Sequence, residues 1–131
     1  MISAILLAAG QSKRMQGENK LLKKYKKKYL INHILKSLIK SKVNKIIVVL
    51  GHENRKIKKI SLKSQKITFV FNSQYLKGIS TSIKCGLKKI SKKNIGFLIA
   101  HADMPLVSKT ILNTLCLALK NKKKKIFAPV Y

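Results

Sequence analysis

The sequence is poor in cysteine and in long apolar runs. Cysteine occurs twice in 131 residues, at Cys85 and Cys116, which is too few and too far apart for a zinc ribbon or a redox pair. Both thiols lie in apolar surroundings, so we predict buried structural groups. No run of about 18 uncharged apolar residues is present, so we predict no membrane-spanning segment. The apolar start at residues 2–9 lacks the basic flank of a secretory leader, and we expect a cytoplasmic protein.

Acidic residues are also scarce, and the net charge is extreme. Thirty Lys and Arg residues oppose three Asp and Glu, a formal charge of +27. Clustered cations favour nucleic acid, because they release counterions from phosphate backbones. However, only Arg14 and Arg55 are arginine, the residue that specific nucleic-acid sites use for bidentate contacts. The lysines are spread along the chain without aromatic residues for base stacking, so we predict salt-sensitive adhesion to polyanions and no specific nucleic-acid partner.

What the sequence does contain fits one globular domain. A chain of this length buries roughly two-thirds of its unfolded surface, enough for a hydrophobic core. Hydrophobic residues make up 46% of the chain, which argues against disorder. No internal repeat and no Gly/Ser/Pro-rich linker is present. We therefore predict a single domain over residues 1–131.

Short apolar runs alternate with amphipathic segments. Five runs have the character of buried strands, at residues 2–8, 46–50, 67–71, 95–100 and 126–128. Helical spacing of apolar residues separates them, over residues 30–39, 57–60, 79–90 and 111–119, with Ser80 and Ser108 as candidate N-caps. Strands separated by helices imply βαβ crossovers. The predicted fold is a Rossmann-like, three-layer, doubly wound α/β fold with a mostly parallel sheet.

Ligands of such sheets bind outside the carboxyl ends of the strands. That rule selects residues 9–20, 72–82 and 101–105, which are also the segments least dominated by lysine. We therefore expect these three segments to form one site.

The first of these segments has the composition of a phosphate-binding loop. Small residues at Ala8, Ala9 and Gly10 allow a ligand to approach the backbone, and N–H groups after Gly10 can form an anion nest. Arg14 and Lys20 add charge-assisted hydrogen bonds worth about 1.5–3 kcal/mol each. The spacing matches neither a Walker A loop nor a G-x-G-x-x-G dinucleotide motif. An ordinary solvated loop remains the alternative interpretation.

Four motifs in order resemble the MobA-like nucleotidyltransferases. They are Leu-Ala-Ala-Gly-x-Ser-x-Arg-Met at residues 7–15 followed by Lys-Leu-Leu at 20–22, and segments 48–53, 72–83 and 102–107. The double alanine and Asn-Lys-Leu-Leu at residues 19–22 are most similar to the molybdenum cofactor cytidylyltransferase branch. The guanylyltransferase branch usually has Ala-Gly-Gly at residues 8–10 and fits less well.

The resemblance implies a reaction and a set of roles. The terminal phosphate of molybdopterin, or of the molybdenum cofactor, would attack the α-phosphorus of CTP and expel pyrophosphate. Arg14 would neutralise the β- and γ-phosphates, Lys20 the α-phosphate, and Asp103 would hold Mg²⁺. The loop would bind base and ribose through residues 8–10, with Ser12 as a further nucleotide-binding residue. A molybdoenzyme is an implied protein partner.

The second and third segments contribute candidates of their own. Asp103 is one of three acidic residues, and a carboxylate at the end of a core strand is costly unless it binds something; pairing with a lysine is the alternative. Asn72 offers a donor and an acceptor to a base edge. Gly78 would let the chain pass close to a nucleotide, and Ser80 or Ser82 could bind base or ribose at a helix N-terminus, with turn and capping chemistry as the alternative.

The sequence also departs from the resembled family. Family members continue through a Gly-x-x-Gly-His-Pro turn, a cofactor-binding region and a second acidic metal ligand. We therefore expect a C-terminally truncated fold with an exposed apolar sheet edge, and nucleotide affinity rather than catalysis. Two other functions remain open: a sugar- or alditol-phosphate nucleotidyltransferase, and a non-catalytic basic module that binds nucleic acid.

Overall fold

The computed structural model describes residues 1–10 and 19–121. The strands within these ranges are β1 (Ile2–Ala8), β2 (Lys24–Tyr25), β3 (Lys28–Tyr29), β4 (Lys45–Leu50), β5 (Ile67–Phe71) and β6 (Gly96–His101). The α-helices are α1 (Leu30–Lys40), α2 (Asn54–Ile60), α3 (Ile79–Leu87) and α4 (Lys109–Asn121). Short 3₁₀ turns lie at Lys20–Leu22 and Tyr75–Lys77.

Four strands form a parallel sheet in the order β5-β4-β1-β6. All seven residues of β1 are buried, because this strand has a neighbour on each side and helices above and below. The chain moves outward from β1 through β4 to β5 and then returns across the sheet to β6. The predicted doubly wound α/β fold is confirmed, and the strand order reverses beside β1.

The two faces of β1 belong to two hydrophobic clusters. Ala4 and Leu6 pack with buried residues of α1, α2 and α4, whereas Ile5 and Leu7 pack on the opposite face with residues of α3. This division follows from strand geometry, since successive side chains point to opposite faces. A side chain at Gly86 of α3 would lie 2.7 Å from Ile5 Cγ2, so this glycine lets α3 approach the sheet closely.

Most predicted elements are confirmed within a residue or two, but details at helix ends differ. Ser108 is an N-cap as predicted, since its Oγ accepts a hydrogen bond from the Ile111 N–H at 3.2 Å. The prediction for Ser80 is wrong: the N-cap is Gly78, with φ 114°, and Ser80 lies inside the first turn. Cys116 is buried, and burial raises the pKa of its thiol; Cys85 is only partly buried. The predicted strand at 126–128 lies outside the described residues.

The hairpin of β2 and β3 is absent from the sequence prediction. Its two-residue turn places Lys26 and Lys27 at φ 49° and 69°. Hairpin turns with two positive φ angles normally contain Asn-Gly or similar pairs. With lysine at both positions, the usual turn signal is missing.

Within the described residues, β6 is an outer strand of the sheet, and several of its apolar side chains are exposed. Phe97 and Ile99 are 39% and 45% exposed. Both residues pair with β1 and lie on the same face of the sheet as α3. Among the helices of residues 1–10 and 19–121, none combines the length and apolar character needed to cross a membrane.

Candidate functional site

A cavity of about 580 Å³ opens at the carboxyl ends of β1 and β6. This is the point where the strand order reverses, which is where doubly wound sheets bind their ligands. Its volume falls in the range of small-molecule sites, roughly 300–1,000 Å³. Each of the three predicted segments contributes to its lining, so their convergence is a property of the fold.

The end of β1 supplies the floor of the cavity. Ala8 and Ala9 are buried and Gly10 is exposed, and all three line the cavity. The Ala9 carbonyl accepts a hydrogen bond from the His52 N–H at 3.1 Å, which ties the loop to the end of β4. A Cβ built at Gly10 would have no atom of the described residues within 4 Å. Packing against the described residues therefore does not require glycine here, and the missing side chain leaves space at the cavity.

Gly51 has the opposite environment. A Cβ at this position would lie 2.6 Å from the Tyr75 Cβ and 2.8 Å from the Ala9 Cβ. Both Tyr75 and Ala9 line the cavity, so the absence of a side chain at Gly51 lets two parts of the lining meet. The sequence carries no signal of this role, because the close approach joins residues far apart in the chain.

Lys20 reaches the cavity from a short, well-anchored turn. The side chain of the preceding residue, Asn19, caps this 3₁₀ turn by accepting a hydrogen bond from the Leu21 N–H at 3.0 Å. Leu21 is buried in the core beside α1. Because the cap and the buried leucine hold the turn on both sides, the half-buried Lys20 is positioned at the cavity.

The end of β6 brings His101 and Asp103 to the same cavity. Ala102 lies between them, buried, and its N–H donates to the Leu7 carbonyl at 3.0 Å. This bond docks the segment against β1. His101 and Asp103 on either side of it are exposed.

Among the described residues, no cation pairs with Asp103. The other acidic residue in these ranges, Glu53, lies 3.1 Å from Lys56 Nζ and 3.3 Å from His52 Nε2. The interpretation of Asp103 as a lysine-paired carboxylate therefore has no support in this part of the chain. The described residues also contain no group of three His, Cys, Asp or Glu side chains suited to a metal. A single carboxylate suits Mg²⁺, which usually takes one or two and completes its shell with water and substrate phosphates.

Asn72 lies behind the cavity, and its side chain is fully engaged within the protein. Nδ2 donates to Thr81 Oγ1 and Ser82 Oγ, each at 2.9 Å, and Oδ1 accepts from the Gln74 N–H at 3.0 Å. This contradicts the prediction that the amide is offered to a base edge. The bonds instead hold the first turn of α3 against the end of β5.

The remaining candidates divide between the cavity lining, the protein surface and the residues outside the described ranges. Gly78 and Ser82 line the cavity, as does the beginning of α3, where the helix dipole places positive potential. Ser80 is exposed and does not contribute to the lining. Ser12 and Arg14 lie outside the described residues, and their roles stay predictions.

Comparison with known proteins agrees with this geometry. The family model of the MobA-like NTP transferase domain matches residues 4–131. The bifunctional protein GlmU of Francisella tularensis subsp. novicida is 32% identical over 115 residues, which cover 87% of this chain and 24% of GlmU.

Solved structures show the same fold. A nucleotidyl transferase from Methanothermobacter is 26% identical with a TM-score of 0.79, over 89% of this chain and 57% of that one. The 4-diphosphocytidyl-2C-methyl-D-erythritol synthase of Anaerococcus prevotii is 22% identical with a TM-score of 0.75, over 92% of this chain and 51% of that one. The chain thus spans about a quarter of the curated relative and just over half of each solved neighbour.

Proposed function

The chain belongs to the MobA-like NTP transferase domain family, and from this premise we propose that it is the nucleotide-binding part of a cytidylyltransferase. It binds CTP with Mg²⁺ for transfer of CMP to a phosphorylated acceptor. The observation that carries the proposal is the cavity that joins Gly10, Lys20 and Asp103 at the reversal of strand order. Molybdopterin is the proposed acceptor, on the strength of the motifs at residues 7–15 and 19–22.

The chemistry asks little covalent participation from the protein. An acceptor phosphate oxygen attacks the α-phosphorus of CTP, the bond from that phosphorus to the bridging oxygen breaks, and pyrophosphate leaves. Positioning and charge neutralisation supply most of the catalysis in such transfers. In this proposal the loop at residues 8–10 holds the nucleotide, Lys20 neutralises the α-phosphate, and Arg14 neutralises the β- and γ-phosphates.

Asp103 is the residue proposed to hold Mg²⁺. It is exposed at the cavity, and no cation of the described residues competes for its carboxylate. A bound Mg²⁺ neutralises phosphate charge as a Lewis acid.

The start of α3 is proposed to bind base and ribose. Gly78 and Ser82 offer backbone approach and a hydroxyl group, and the apolar side chains of Leu76 and Ile79 stand 71% and 54% exposed in the same lining. Such exposed apolar groups suit the face of a base. Asn72 supports this wall from behind through its bonds to Thr81 and Ser82.

A sugar or alditol phosphate is the second candidate acceptor. The Anaerococcus synthase pairs a cytidine nucleotide with 2C-methyl-D-erythritol in its name. That neighbour shares only the fold with this chain, so it supports the alternative less strongly than the sequence motifs support molybdopterin.

Exposed lysines elsewhere explain why DNA must be included in any binding test. Lys28 of the hairpin and Lys36 and Lys40 of α1 line a second cavity, of about 440 Å³. Contact with Lys36, with Lys40 adding to it, lowers the pKa of Lys28, which indicates a dense local positive charge. Such a surface attracts polyanions without reading their sequence.

Calorimetric titration with CTP, GTP and random duplex DNA at physiological salt tests the proposed function. We expect CTP to bind more tightly than GTP, and much more tightly in Mg²⁺ than in EDTA. Added salt is expected to weaken CTP binding only modestly. DNA binding is expected to fall steeply with salt. Tight DNA binding that persists at high salt, without Mg²⁺-dependent CTP binding, would instead support the basic nucleic-acid module.

Two glycine variants distinguish a glycine that faces the ligand from a glycine that is needed for close packing. Gly10→Ala is expected to keep the unfolding temperature, because the new methyl group meets no described atom, and to weaken CTP binding roughly tenfold because it enters ligand space. Gly51→Ala is expected to lower the free energy of unfolding by about 1–3 kcal/mol through overpacking against Tyr75 and Ala9. Thermal unfolding and calorimetry measure both quantities. If Gly10→Ala bound CTP like the wild type, the loop would not be the nucleotide site.

A further inference from the structure

Asn19 has a buried donor without a partner. The residue is 3% exposed, and its Nδ2 has no hydrogen-bond acceptor in the part of the chain that the structure describes. The residue lines the candidate cavity beside Gly10 and Lys20. No other buried side-chain nitrogen or oxygen in the described ranges lacks a partner.

The orientation of this amide is fixed by the turn that it caps. Oδ1 accepts a hydrogen bond from the Leu21 N–H at 3.0 Å. Exchanging the oxygen and the nitrogen would place two donors against each other and leave the cap unmade. The Nδ2 donor therefore needs a hydrogen-bond acceptor outside the turn.

Two other buried asparagines show how the fold normally satisfies such groups. Asn32 Nδ2 donates to the Ile60 carbonyl at 2.8 Å, and its Oδ1 accepts from the Leu62 N–H at 2.9 Å. Asn72 likewise uses both ends of its amide. Buried polar groups in native proteins nearly always have partners, and an unsatisfied one at a cavity calls for a ligand or an ordered water.

We infer that Asn19 is a nucleotide-binding residue whose side-chain amide donates to an oxygen of the α-phosphate. The inference rests on the proposed function. Asn19 directly precedes Lys20, so their Cα atoms are about 3.8 Å apart, and both residues line the cavity. A neutral donor next to an ammonium group suits an anionic oxygen, since hydrogen bonds to charged acceptors are the stronger ones. The turn thus provides a charge and an oriented donor to the same phosphate.

Two variants keep the cap and remove the donor. Asn19→Ser and Asn19→Asp both retain a side-chain oxygen of a kind favoured at helix N-caps, and neither can donate as the amide does. We expect each variant to bind CTP and CMP about tenfold or more weakly, with Asn19→Asp weaker still because its carboxylate repels the phosphate. Cytidine binding is expected to stay unchanged, because cytidine has no phosphate.

Calorimetry with CTP, CMP and cytidine in Mg²⁺ measures these affinities, and thermal unfolding reports on the fold. We expect the Asn19→Ser variant to keep its unfolding temperature, whereas Asn32→Ser, which removes an amide bonded at both ends, is expected to lower it. If the wild type binds CTP and both Asn19 variants bind it with the same affinity, the inference is overturned and the proposed function stands. An equal loss for cytidine would overturn the phosphate assignment. A wild type that does not bind CTP would refute the proposed function, and the inference with it.

Discussion

Replacing Lys20 with alanine is expected to reduce the affinity of the protein for CTP on the order of 100-fold. Its ammonium group would make charge-assisted hydrogen bonds to phosphate worth about 1.5–3 kcal/mol each, and a loss of 1.4 kcal/mol is tenfold in affinity. The fold should persist, because buried Leu21 and the Asn19 cap anchor the turn. Calorimetric titration with CTP and Mg²⁺ measures the effect.

Lys23→Ala is the matched control. Lys23 follows the same turn, is exposed, and does not line the cavity. This substitution removes the same charge from the protein and is expected to leave CTP affinity within about twofold, since exposed charges contribute little through solvent. Similar losses in both variants would show that overall charge, and not a specific contact, attracts the nucleotide.

Replacing Asp103 with asparagine is expected to abolish the Mg²⁺ dependence of CTP binding. Asparagine has nearly the same shape as aspartate but carries no charge, and Mg²⁺ binds proteins mainly through carboxylates. In Mg²⁺, the affinity of Asp103→Asn for CTP is expected to fall on the order of 100-fold, the loss of a strong charged interaction. In EDTA the variant should equal or exceed the wild type, because a negative charge near the phosphates is gone. Titrations under both conditions provide the comparison.

Glu53→Gln controls for the loss of an acidic residue. Glu53 is paired with Lys56 and contacts His52, and it does not line the cavity. The variant is expected to retain Mg²⁺-dependent binding in full. An Asp103→Asn protein that still responded to Mg²⁺ like the wild type would remove Asp103 from the metal site.

The fold could largely be predicted because its signals are local. β1 and β4 are continuous apolar runs, which is the pattern of strands buried on both faces. α1 carries apolar residues at helical spacing on one side and lysines on the other. The hairpin of β2 and β3 was not predicted, because Lys26 and Lys27 adopt positive φ angles, which are uncommon for lysine.

The site could be predicted as a set of segments but not as a set of contacts. The carboxyl-end rule selected the segments that meet at the cavity, including Lys20 and Asp103. The rule could not show that the side-chain amide of Asn72 donates its hydrogen bonds to Thr81 and Ser82. Nor could it show that the Asn19 amide lacks a partner among the described residues.

By itself, then, the sequence determined the alternation of strands and helices, the family, and the three loops that gather at one edge of the sheet. These follow from periodicity and from residue types at short spacing, which a linear chain displays directly. Only the tertiary structure decided which glycine leaves space for a ligand and which allows two parts of the cavity lining to pack closely. It also decided which buried asparagine has a hydrogen-bond donor without a partner among the described residues. Those properties depend on distances between residues remote in the chain, such as Gly51 and Tyr75, and so they exist only once the chain has folded.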